Sequence, residues 1–271
     1  MTDKYIEDQG GHRVHYTVNC LNRGPLKPVV LLHGFTENVF VWDSLSRYLC
    51  EKGYCVICVD LAGHGKTDSV GSTHGMGLQA LIVRSVFEAE GIRKAVVIGH
   101  SMGGYVACEF AARYPELLLG LGLFHSSAQA DTEESKQNRQ RMVDLIEAGK
   151  TYFIGDSTPD LFAPGMAERY PEALEALVAS AKSMDPMAVA AAQRGMMERQ
   201  NRLEIYSLPI PFLFIVGKLD SRANLPQMLV QASMPQRSHL LLLPVGHMGM
   251  FEAPKATESF VAGYLDGVDW E

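Results

Sequence analysis

No stretch of this 271-residue chain approaches the roughly 20 consecutive apolar residues that a membrane-crossing helix requires, so a bilayer partner is not expected. Residues 1–10 place Asp3, Lys4, Glu7 and Asp8 where a secretory signal would carry its apolar core. Cysteine is scarce, at five residues. An odd number in a chain long enough to bury a core without staples reads as reduced thiols, and a cytoplasmic address is expected. Basic residues are the minority, 24 Lys and Arg against 31 Asp and Glu for a net charge of −7, and they form no dense cluster to track a phosphate backbone. Nucleic acid is therefore not an expected partner. There are no repeats or low-complexity tracts, and 47% apolar with 20% charged residues excludes disorder and coiled coil.

What is present is a rhythm. Short apolar runs recur at 29–32, 55–59, 95–98, 117–124, 212–216 and 240–243, with lengths that suit strands buried on both faces. Segments with helical spacing lie between several of them, at 39–51, 78–90, 102–114, 225–234 and 255–264. Alternation of this kind argues for an α/β fold, a mostly parallel sheet with helices on both faces. Before the first run, Tyr5 and Ile6, then Gly10-Gly11, then Val14, Tyr16 and Val18 read as a β-hairpin that adds an antiparallel edge. Cys55 and Cys58 form a C-x-x-C, but residues three apart on a strand face opposite ways, so a metal is not expected there.

From 129 to 206 the strand signals stop. Charged, Ala-rich and Met-rich helical segments punctuated by Pro159, Pro164, Pro171 and Pro186 read as a helical insertion into a core formed by 1–128 and 207–271. Met142, Met166, Met184, Met187, Met196 and Met197 lie within it and read as core filler, flexible enough to wall a pliable apolar pocket as well.

In an open parallel sheet, ligands bind beyond the carboxyl ends of the strands. The residues there are His33-Gly34-Phe35, Asp60 with Gly63-His64-Gly65, the segment 99–104 (Gly-His-Ser-Met-Gly-Gly), His125, then Asp220, and Gly246-His247. Chance gives a Gly-x-Ser-x-Gly spacing roughly 0.14 times in a chain of this composition, so the weight of Gly99-x-Ser101-x-Gly103 comes from its place between a buried strand and a helix. A sharp turn there needs small neighbours, and it lifts the hydroxyl of Ser101 above the sheet at a helix N-terminus.

With these residues the chain resembles the α/β-hydrolase family, weakest across 129–206, where the resemblance implies a helical cap. Ala62 departs from the Arg or Pro that many members carry in the 60–65 loop. The resemblance implies Ser101 as nucleophile, His247 as its base and Asp220 as the acid that orients the base, in the family's chain order. The backbone N–H groups of Phe35 and Met102 would form the oxyanion hole. Some members place the acid after the strand ending at Phe124, where this chain has His125-Ser126-Ser127. Among the other histidines, His12, His15, His64, His74, His125 and His239 read as surface, loop or strand residues; His33 shapes the oxyanion loop and His100 packs. Thr36, Glu37 and Asn38 read as helix-capping residues, with Glu37 at the rim, Trp42 as core, and Asp60 as ordering its own loop.

The expected activity is cofactor-free, metal-free hydrolysis of a small-molecule carboxylic ester or thioester through an acyl-enzyme. Carbon–carbon cleavage or elimination in quinone-precursor synthesis uses the same constellation, and its anionic substrates call for paired arginines. Arg139, Arg141, Arg169, Arg194, Arg199 and Arg202 lie in the insertion, where solvated surface is the plainer expectation. Epoxide and haloalkane hydrolysis are disfavoured, because the relatives that catalyse them carry Asp where this chain has Ser101. A ligand receptor that keeps the fold is the third reading.

Overall fold

The computed structural model describes residues 1–21 and 26–270. Eight strands form one sheet: β1 (Thr2–Glu7), β2 (Arg13–Asn19), β3 (Pro28–Leu32), β4 (Cys55–Val59), β5 (Ala95–His100), β6 (Leu118–Phe124), β7 (Phe212–Gly217) and β8 (Ser238–Leu243). Their spatial order is β1-β2-β4-β3-β5-β6-β7-β8. β1 and β2 form the antiparallel hairpin and β2 runs antiparallel to β4, while β3 to β8 are all parallel. Each apolar run of the sequence supplies a strand, and those of β3, β4, β5 and β7 are buried at every position, whereas β8 leaves Leu240 exposed. Val30, Leu32, Ile57 and Val97 face one apolar cluster; Val29, Leu31, Val56 and Ile98 face the other.

The helices are α1 (Asp43–Glu51), α2 (Met76–Ala89), α3 (Met102–Arg113), α4 (Glu133–Glu147), α5 (Pro171–Ser183), α6 (Pro186–Met197), α7 (Leu225–Ala232), α8 (Gly249–Glu252) and α9 (Pro254–Asp266). Side chains of α2, α3 and α7 join the first cluster; those of α1, α8 and α9 join the second, around the fully buried Trp42. The helical spacing at 39–51 resolves into a 3-10 turn over Val39–Trp42 and then α1, with Asn38 capping the turn by accepting the Phe40 N–H. No helix among the described residues is long and apolar enough to cross a membrane.

Between β6 and β7 the chain forms α4, α5 and α6 and no strand. These helices share a small apolar cluster of Val143, Ile146, Ile154, Ala181, Met184, Val189 and Ala190, and Phe35 from the loop after β3 packs against it. Of the methionines there, Met196 is buried in the main core and Met187 is exposed.

The expectation of five reduced thiols is corrected at one pair. Asn19 pairs with Val56 in the β2–β4 ladder, so the next step of the register sets Cys20 opposite Cys55, with Cα atoms 4.4 Å apart, and the two form a disulfide. Cys50, Cys58 and Cys108 are free and buried. Alkylation of the unfolded, unreduced protein is expected to add three groups by intact mass and, after reduction, five. Five without reductant would contradict the pairing.

Candidate active site

A tight turn joins β5 to α3. Ser101 occupies it with φ 49° and ψ −115°, a conformation that L-residues rarely adopt and that functional sites retain at an energetic cost. Three interactions hold it: the Ser101 N–H donates to Phe124 O at 3.0 Å, the Gly104 N–H donates to Ser101 O at 2.9 Å, and Ser126 Oγ donates to Ser101 O at 2.7 Å. The glycines are there for closeness. A Cβ on Gly99 would strike the backbone of Gly103, and one on Gly103 would strike the carbonyls of Leu32 and His33. Met102 is the first residue of α3, so its N–H has no intrahelical acceptor. Neither it nor the Phe35 N–H has a protein acceptor among the described residues.

Asp220 and His247 come from the loops after β7 and β8. His247 Nδ1 lies 2.8 Å from Asp220 Oδ2, and both side chains are almost fully buried. Asp220 Oδ1 accepts the Arg222 N–H at 2.8 Å. Burial pushes the Asp220 carboxyl up, but the charge of His247 and the hydrogen bonds of His125 and His247 pull it well below the usual carboxylate range. The carboxylate therefore stays ionised where it can hold the Nδ1–H tautomer of His247, which points Nε2 away from Asp220. Among the described residues neither His247 Nε2 nor Ser101 Oγ has a hydrogen-bond partner. Bonds between such groups often close only around a substrate.

Several groups around the site were not legible in the sequence. Glu37, expected at the rim, is buried: it accepts the Gly34 N–H at 2.7 Å and lies 3.0 Å from His100 Nδ1. His100, expected only to pack, places Nε2 2.9 Å from His247 O. A carboxylate and a carbonyl are both acceptors, so both His100 nitrogens carry protons and the ring is an imidazolium. Burial opposes that charge and Glu37 outweighs it, raising His100; burial likewise opposes the Glu37 charge, and His100 lowers it overall. One buried ion pair thus ties the Gly34–Phe35 loop, the Ser101 turn and the His247 backbone together. The sequence signal was an acidic residue three positions after Gly34, but the pair spans 63 residues.

The histidines expected on the surface, in loops or on strands lie there: His15 and His239 are on strands and His12, His64, His74 and His125 in loops, with His15, His64, His74 and His125 buried. Burial holds His64 down at about 3 and His74 at about 4, so both are neutral. His33 Nε2 accepts the Leu61 N–H at 3.0 Å, and its Nδ1 lies 2.7 Å from Gly34 O. Asp60 orders its loop by accepting the N–H groups of Val39 and Lys66, each at 2.9 Å. His125, Asp220 and His247 bring potential metal-ligand atoms within 4.8 Å of one another. Asp220 Oδ2 lies 2.8 Å from His247 Nδ1 and 3.3 Å from His125 Nδ1.

The insertion meets the site at two places. Ser180 Oγ donates to Thr36 O at 2.9 Å, and the His247 N–H donates to Leu161 O at 2.6 Å. Glu252 joins the Ala163 and Gly246 N–H groups across the second contact, at 3.0 and 2.9 Å.

Comparison with known proteins agrees with this architecture. The model of the alpha/beta hydrolase family matches residues 29–260. A 2-hydroxy-6-oxononadienedioate/2-hydroxy-6-oxononatrienedioate hydrolase of Paraburkholderia phymatum is 38% identical over 122 residues, 42% of this chain and 41% of that protein. Epoxide hydrolase 4 of Mus musculus is 34% identical over 118 residues, 43% of this chain and 32% of that protein. The chain thus spans less than half the length of either relative. Among solved structures, a thermophilic esterase from Thermogutta terrifontis superposes with a TM-score of 0.88 at 28% identity over 98% of both chains. An enol-lactonase from Burkholderia xenovorans LB400, at 20% identity, shares the fold with a TM-score of 0.88 over 97% of this chain and 100% of that one. With residues 29–260 matched by the family model, the chain belongs to the alpha/beta hydrolase family.

Proposed function

We propose that Ser101, His247 and Asp220 form a nucleophile–base–acid relay that hydrolyses a small-molecule carboxylic ester or thioester. Ser101 Oγ attacks the carbonyl carbon as His247 Nε2 takes its proton, and that proton passes to the departing alcohol or thiol. Water then repeats the sequence on the acyl-enzyme and releases the acid. The N–H groups of Phe35 and Met102 stabilise the tetrahedral oxyanion, and residues 129–206 act as a cap over the acyl group. The observation that carries this reading is the 2.8 Å contact from Asp220 to His247 Nδ1, on loops beside a serine held at positive φ.

Carbon–carbon cleavage is the second reading, favoured by the relative named for a dianionic substrate. The insertion's arginines weigh against it, because each has a partner elsewhere. Arg139 pairs with Asp131 and Gln193, Arg199 with Asp131, Arg202 with Glu109, Arg194 with Glu147, Arg141 with Asn138, and Arg169 with the Met166 sulfur. The cap face that meets Phe35 is apolar instead, which suits a neutral substrate with an apolar acyl group. A cytoplasmic setting belongs to the same proposal; three buried free thiols favour it and the Cys20–Cys55 pair speaks against it.

Ser101→Ala is expected to lower turnover of short p-nitrophenyl esters by about 10⁴-fold or more with the fold intact; retained turnover would reject the relay. The Glu37–His100 pair gives a stability test. Glu37 is held low, so its contribution is present above about pH 4.5 and lost on acidification. His100 is held high, so its contribution is full below about pH 6.5 and lost as pH rises through its folded value. Glu37→Leu is therefore expected to cost about 3–5 kcal/mol in urea unfolding at pH 6, and less as the pH is raised. A cost independent of pH would contradict the ion pair.

A further inference from the structure

Thr36, Ser101 and His125 are the three non-glycine residues with positive φ among those described. The first follows Phe35 and the second is the proposed nucleophile. The third, His125, directly follows β6 with φ 50°, its N–H bonded to Ile215 O at 2.8 Å, and its side chain has no solvent exposure. Its Nδ1 lies 3.3 Å from Asp220 Oδ2, the oxygen that also meets His247 Nδ1. The ring has a built seat. Gly217 and Gly249 flank it, and a Cβ on either would come to 3.0 Å from Cε1 or 2.6 Å from Nε2.

The partners decide the tautomer. The Gly249 N–H points at Nε2 from 3.3 Å and the Gly217 N–H at Nδ1 from 3.2 Å. With the proton on Nε2, Nδ1 would accept from Gly217, but two N–H groups would face each other at Gly249 and the Nδ1 lone pair would also face a carboxylate. With the proton on Nδ1, the carboxylate is satisfied, Nε2 accepts from Gly249, and one opposed N–H remains at Gly217. A doubly protonated ring would oppose both glycine amides. Burial holds His125 at about 4, in line with a neutral ring. The charged or titratable groups facing it are Asp220, His247 and His100, the last paired with Glu37.

We propose that His125 is a positioning residue for the relay: its neutral imidazole donates Nδ1–H to Asp220 Oδ2, fixing the carboxylate and sharing its negative charge between two imidazoles. Asp220 then has three donors: His247, His125 and the Arg222 N–H. The position that other members of the family use for an acid holds, in this chain, a donor to the acid.

The proposal rests on the relay proposed above, and its first test does not need the reaction. Two-bond ¹H–¹⁵N spectra of the histidine-labelled, ligand-free protein are expected to show His125 protonated at Nδ1 and bare at Nε2 from pH 6 to 8. The opposite tautomer, or an imidazolium in that range, overturns the proposal. The second test uses variants with an ester substrate. Asn tolerates the left-handed backbone and offers a donor at the δ position, so His125→Asn is expected to keep kcat within about 5-fold at nearly constant KM. His125→Phe fills the seat without a donor. It is expected to lower kcat by about 10- to 100-fold at nearly constant KM. Equal losses of kcat in both variants would leave only packing and overturn the proposal, as would wild-type behaviour of His125→Phe. Should that variant fail to fold, the spectra and His125→Asn decide. Ester turnover that does not depend on Ser101 would sink the relay, whereas the wrong tautomer sinks only this inference.

Discussion

A carboxylate removed from water must be given back the hydrogen bonds that water supplied, and Asp220 is such a group. Its ionisation is opposed by burial and sustained by donors from three places: His247, His125 and the Arg222 amide. Each donor needs its own support. The His247 backbone is bonded to Leu161 in the insertion and to His100 beside the serine turn; His125 is wedged between two glycines at the end of β6. The parallel sheet brings these groups together, because β5, β6, β7 and β8 lie side by side and release their loops at one edge.

The insertion is tied to that edge at both of the loops that matter. Ser180 holds the carbonyl of Thr36, Phe35 packs into the insertion's apolar cluster, and Glu252 bridges Gly246 to Ala163. Movement of residues 129–206 would therefore be felt at the Phe35 amide and at His247 together. The insertion's arginines are engaged in pairs, and the cluster that meets Phe35 is apolar.

Much of this was legible in the sequence, for physical reasons. A strand buried on both faces must be apolar at every position, so 29–32, 55–59 and 212–216 marked their strands plainly. Ser101 was legible because only Gly99 and Gly103 allow the backbone approach its turn requires, and Asp220 and His247 because each follows an apolar run. The Glu37–His100 pair was hidden, since a buried ion pair is defined by its surroundings rather than by either residue alone. Cys20 and Cys55 were hidden because their meeting depends on the register of β2 against β4. His125 was visible as a residue in an unusual place, but its partner and tautomer exist only once β6 and β7 are adjacent.

The central claim is that an ionised Asp220 orients His247, which in turn activates Ser101. The measurement that bears on it most directly is peptide mapping after reaction with a fluorophosphonate, comparing the wild-type protein with folded Asp220→Asn and His247→Ala variants. The expected result is a single phosphonyl adduct on Ser101 of the wild-type chain and labelling slowed by orders of magnitude in both variants. Equal labelling rates in all three proteins, or an adduct on another residue, would contradict the account.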